Sequence, residues 1–126
     1  MANWTPEGFI GELFRINGRY VTPPAGLKPP TLWGKEERLR ELFGDGISSL
    51  QVTRRTFNFR YTSADHWIDF WRTYYGPTFK TFAALDEASQ DALSHDMREL
   101  VARYNRSGDS TMVVPSEYLE VVAVRR

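Results

Sequence analysis

The chain of 126 residues contains no cysteine. That excludes disulfides, thiolate catalysis and thiolate metal sites together, and it fits a reducing compartment. Histidine is scarce: His66 and His95 are the only two. Neither stands at metal-ligand spacing, and both read as surface residues. No apolar run reaches about 18 residues, so the sequence offers no membrane span. A basic region leading into an apolar stretch is missing from the N-terminus, so no signal peptide is read there. Basic and acidic residues balance at 16 each, which leaves no bulk field to draw the chain to nucleic acid or anionic lipid. Glycine-rich phosphate loops and the nucleophile-elbow motif are absent, and no serine sits in a nucleophile context. The expectation is a soluble cytoplasmic protein with no metal, nucleic-acid or membrane partner.

Aromatic residues are plentiful, at 14% of the chain. The length suits one domain spanning residues 1–126, able to bury roughly two thirds of its unfolded surface. Thr5-Pro6-Glu7 reads as a helix start, with Thr5 as cap and Pro6 in the first turn. Phe9, Ile10, Leu13 and Phe14 follow as an apolar stripe, and Asn17-Gly18 ends it. Gly8 and Gly11 weaken this helix but let its backbone approach a neighbour. Val21 to Pro30 is a proline-rich, semi-rigid connector. Trp33 to Phe43 reads as a second helix with Leu39, Leu42 and Phe43 inward, closed by Gly44.

Leu50 to Tyr61 reads as a long strand whose apolar face switches near Thr53–Thr56. Either a bulge or coverage of both faces in different places explains the switch. Ser63 caps a helix carrying Trp67, Phe70, Trp71 and Tyr74, stopped at Gly76-Pro77. A short helix spans Thr78 to Leu85, and Asp86 caps the last one, with Leu93, Met97, Leu100, Val101 and Tyr104 inward. Asn105 to Ser110 is a polar turn. Met112 to Val124 is a final strand, which Pro115 confines to an edge or bend in its first part. The near-continuous apolar run YLEVVAV predicts burial on both faces. As it stands the fold class is α+β, with about five helices and a long antiparallel strand pair.

Chemistry-bearing candidates are few. Arg54 and Arg55 are strand neighbours on opposite faces and read as salt-bridged surface residues. The terminal Arg125-Arg126 pair reads as solubilising. Tyr74 and Tyr75 are adjacent and cannot both face the core of one helix, so one of them is a candidate pocket wall.

Three stretches, ANWTPEGFIGELF, HWIDFWRTYYGPTFKTFAALD and GDSTMVVPSEYLEVVAVRR, resemble the C-terminal portion of bacterial class I S-adenosylmethionine-dependent methyltransferases, the broad UbiE-like, type 11 group. The resemblance runs from Ala2 to Arg126. It implies the C-terminal half of a Rossmann-like α/β sheet. Ala2-Asn3-Trp4 would end the fifth strand, Leu50 to Tyr61 would be the sixth, and Met112 to Val124 the reversed seventh, inserted between them. It further implies that the cofactor-binding half, with its glycine-rich turn and ribose-binding acid, precedes Ala2. No cofactor is then expected for this chain alone, and no catalytic residue is carried over.

Apolar surface meant for absent strands needs a cover: a second copy in a homodimer, or a separately encoded cofactor-binding half. For a small-molecule substrate, Trp4, Phe9, Trp33, Tyr74 and Tyr75 are the pocket candidates. The alternative is a stand-alone small-molecule or protein-binding module with an aromatic pocket and no reaction.

Overall fold

The computed structural model describes residues 1–126. In chain order the elements are β1 (Ala2–Trp4), α1 (Phe9–Tyr20), a 3₁₀ turn (Pro30–Gly34), α2 (Glu36–Phe43), β2 (Ile47–Tyr61), α3 (Ala64–Tyr74), α4 (Gly76–Ala83), α5 (Glu87–Tyr104) and β3 (Met112–Arg125). This is a mixed α/β chain with five helices and one three-stranded sheet, ordered β1-β3-β2. β3 runs antiparallel to both neighbours, so β1 and β2 are parallel to one another. β1 is a third strand beyond the pair that residue patterning alone predicts.

The ribbon of β2 and β3 is covered diagonally. Phe59 lies opposite Val114 and Tyr61 opposite Met112, on the face that receives α1, α3 and α5. Leu50 and Val52 have the other parity. With Leu119 and Val121 they pack against Leu39 and Phe43 of α2 on the opposite face, at the other end. No bulge interrupts Thr53–Thr56; pairing is regular from Ser49 to Tyr61, and the only irregularity lies between Ile47 and Ser49. The switch of apolar face thus records two covers at opposite ends. The same geometry corrects the reading of YLEVVAV. Leu119 and Val121 are buried, but Val122 and Val124 are about half exposed because no helix reaches that corner. Pro115 lies in the stretch of β3 that β1 does not reach, where its missing N–H costs no ladder bond.

α1 begins later and ends later than the sequence predicts. Thr5 does not cap it: the cap position is Gly8, which offers no side chain. Instead the Ser116 hydroxyl accepts from the Ile10 N–H at 3.4 Å, and the Thr5 hydroxyl donates to the Glu117 carbonyl at 3.4 Å. The sheet thus serves one of the helix's orphan donors. Asn17-Gly18 does not end the helix, which runs on to Tyr20.

The predicted Trp33–Phe43 helix divides at Lys35, whose backbone is extended. Gly34 must approach β1, where a Cβ would lie 2.0 Å from the Trp4 carbonyl oxygen. Gly44 closes α2 at φ 49°. Ser63 accepts from the His66 N–H at 3.0 Å and Asp86 from the Ser89 N–H at 2.8 Å, so both predicted caps are present. α3 stops at Tyr74, just ahead of Gly76-Pro77 as expected, and those two residues also open α4, two positions earlier than Thr78.

Candidate functional site

A cavity of about 610 Å³ lies between α1, the proline-rich connector and α4. Phe14, Asn17 and Gly18 of α1 form one wall, and Pro77, Lys80 and Thr81 of α4 another. Pro23, Leu27, Pro29 and Pro30 of the connector, with Leu32 of the 3₁₀ turn, supply a largely apolar third. The size falls within the range of small-molecule sites.

Its charge is one-sided. Arg15, Lys28, Lys35 and Lys80 line it, and no carboxylate does. Arg15 is already engaged, donating to the Pro6 carbonyl at 2.6 Å and lying 4.0 Å from Glu12. The three lysines are the only lysines in the chain. None of them forms an ion pair, since every salt bridge in the protein uses an arginine or a histidine.

Asn17 is the buried polar group on this wall. It follows Ile10 and Leu13 on the inward side of α1 and is only 6% exposed. Both the nitrogen and the oxygen of its side-chain amide lack a partner in the protein. An unpaired buried amide of this kind costs about 1–3 kcal/mol.

The five sequence candidates lie elsewhere, and none lines this cavity. Phe9 is completely buried against Phe59, Trp67 and Tyr104, so it is a core residue. Trp4 packs on Phe57, Phe59 and Tyr118. Tyr75 lies on Trp71 with ring centres 4.2 Å apart, and burial raises its phenol pKa. These three belong to one aromatic cluster linked through Phe59 and Trp71. Trp33 instead meets Phe43, and Tyr74, 73% exposed, rests on Phe70. His66 and His95 are exposed. Arg54 pairs with Glu117 at 2.7 Å and Arg55 with Glu120 at 2.8 Å, on opposite faces as their adjacency requires.

Residue patterning missed Asn17 and the three lysines. The connector read as a spacer, and a polar residue before glycine read as a helix end. The available signal was compositional: three lysines among 16 basic residues, with Lys28 directly before Pro29-Pro30 and Lys35 five residues after it.

No family model matches the chain. It is 32% identical over 130 aligned positions to an uncharacterized protein of Mycobacterium tuberculosis, covering 100% of this chain and 46% of the relative. An uncharacterized protein of Mycobacterium bovis gives the same figures. A second uncharacterized protein of Mycobacterium tuberculosis is 31% identical over 121 positions, covering 93% of this chain and 43% of the relative. The chain therefore spans about half the length of the curated relatives it matches. No helix is long and apolar enough to cross a membrane.

Proposed function

We propose that this chain is the C-terminal, substrate-side segment of a class I S-adenosylmethionine-dependent methyltransferase fold, and that it does not transfer a methyl group alone. One observation carries the reading. The last strand lies between the first and second and runs antiparallel to both. That arrangement matches a reversed seventh strand inserted between the fifth and sixth. The length of the mycobacterial relatives supports it, since they have room for a cofactor-binding half as well.

The residues of this chain do not fit the cofactor. Its strand-to-helix turn after β1 includes Gly8, but a Cβ there would already meet the Thr5 hydroxyl at 3.2 Å and the Glu117 N–H nitrogen at 3.4 Å. The Ser116 hydroxyl takes the Ile10 N–H of the same turn. The cavity offers no carboxylate for ribose hydroxyls, and its cations would repel a sulfonium. No step through S-adenosylmethionine is therefore assigned to residues of this chain. Its role in the proposal is to shape the substrate side, where orientation counts for much of the catalysis. The cofactor half, or a second copy, covers the open part of the sheet.

A second reading, a binding module without a reaction, is favoured by the cavity, which is formed within this chain alone.

Calorimetry with S-adenosylmethionine tests the assignment, using this chain and the full-length Mycobacterium tuberculosis relative side by side. The methyltransferase reading expects binding by the relative and none by this chain. If the relative fails to bind, that reading falls and the binding module stands. If this chain binds at micromolar affinity, the division into a cofactor half and a substrate half is wrong.

A further inference from the structure

We propose that the cavity between α1, the connector and α4 binds a small molecule with an apolar body and one anionic group, a carboxylate or a phosphate. The inference concerns what the cavity holds, and it stands whether or not methyl transfer is the reaction.

The distribution of lysine carries it first. Lys28 and Lys35 lie seven residues apart, before and after the 3₁₀ turn, and Lys80 comes from the distant α4, yet all three line one space. Elsewhere many arginines are ion-paired, as Arg38 with Glu41, Arg40 with Glu36, Arg98 with Asp65 and Arg103 with Glu12, while Arg19, Arg60 and Arg106 are not and share no common space with the lysines. The lysines have no such partner. Three cations around a cleft without a carboxylate give it a positive potential, which favours an anion over a neutral or cationic ligand. Lysine suits this task as a flexible point charge that accommodates either head group.

The second observation is independent. The Asn17 amide is buried on the same wall with neither atom satisfied. Both atoms are closed off in this conformation, so a ligand meets them once the side chain turns into the cavity, where the N–H₂ donates to an oxyanion and the oxygen accepts from a hydroxyl or amide. The third is the lining between the charges. Proline, leucine and phenylalanine surfaces suit an aliphatic or aromatic body, and they are of little use to a bare inorganic ion.

The test is calorimetry on the full chain with four probes: decanoate, decyl phosphate, decylammonium and decan-1-ol. One of the two anions should bind at least tenfold more tightly than both decylammonium and decan-1-ol, and whichever anion is preferred names the head group. Raising the salt should weaken that anion selectively. In ¹⁵N NMR of the unaltered chain, the shifted amides should centre on Asn17, Gly18 and Lys35. The triple variant K28Q/K35Q/K80Q should keep its melting temperature, since these side chains are exposed and unpaired, and lose the preference for the anion. The proposal is overturned if decylammonium or decan-1-ol binds as well as both anions. It also falls if the shifts centre on the open sheet face near Val122, or if the triple variant binds the anion unchanged.

Discussion

At position 34 there is no space for a methyl group. A Cβ would lie 2.0 Å from the Trp4 carbonyl oxygen and 2.7 Å from the Thr5 Cα, both backbone atoms that cannot swing aside. Gly34→Ala should therefore cost about 2–3 kcal/mol in urea unfolding, the scale of an overpacked contact. Three phenols set a second residue-scale expectation. The hydrogen bond from Tyr20 to Asp96 raises the Tyr20 pKa, burial raises that of Tyr75, and burial followed by the bond to Glu12 raises that of Tyr104. Each is an acid held neutral by the fold. Their contribution is complete below the unfolded phenol value, about 10, and is lost as pH rises through the higher folded values. The melting temperature should fall steeply above about pH 10, and Tyr20→Phe should flatten that fall. Which residues were legible follows from how local their partners are. Ser63 and Asp86 cap through neighbours three positions away, so sequence spacing finds them. Ser116 serves α1 from more than a hundred residues away, and the local reading assigned that task to Thr5. Asn17 was misread for the same reason: only packing reveals that its face of α1 is buried.

Helix α2 is held by very little, which makes it the element to test. Leu39 is its one fully buried side chain, set against Leu119 and Val121, while Leu42 is 41% exposed. Leu39→Ala should cost about 2–5 kcal/mol for that unit. Hydrogen exchange should show the amides of residues 36–43 opening while those of α5, with Leu93, Met97 and Leu100 completely buried, stay protected. The helices were largely readable as elements because each shows an apolar stripe at helical spacing. The long strand was readable too, yet its face switch admitted two explanations. Only the placement of α2 on one face and the main helical layer on the other decides between them. The connector is the instructive failure. Its prolines say that it is extended and stiff, and both are true of a spacer and of a cavity wall. What makes it a wall is the position of α4, which lies about fifty residues further along the chain.

For the whole molecule, the open end of the sheet is the unresolved surface in energetic terms. Phe57, Val122 and Val124 are each about half exposed on one face, with Trp4 and Tyr118 beside them. β1 is an edge strand. Its Asn3 faces Leu119, Met1 exchanges backbone bonds with Val121, and the Thr5 N–H donates to the Glu117 carbonyl, so the Trp4 carbonyl points away from β3. The Gly34 turn already rests there, so a further strand joining this edge must stop short of Trp4 or displace the turn. The exposed face has no such obstruction, and an apolar patch at the end of a long ribbon invites a partner. A homodimer that covers it should sediment at twice the 14.6 kDa chain mass. The double variant V122E/V124E should then return to the single-chain mass without unfolding, because both side chains are exposed in the isolated chain. A wild-type chain that sediments as a monomer would remove the second copy as the cover. The patch would then be assigned to the remaining half of the longer relatives, and binding of their separately expressed other segment to this chain, blocked by the same two glutamates, becomes the decisive observation.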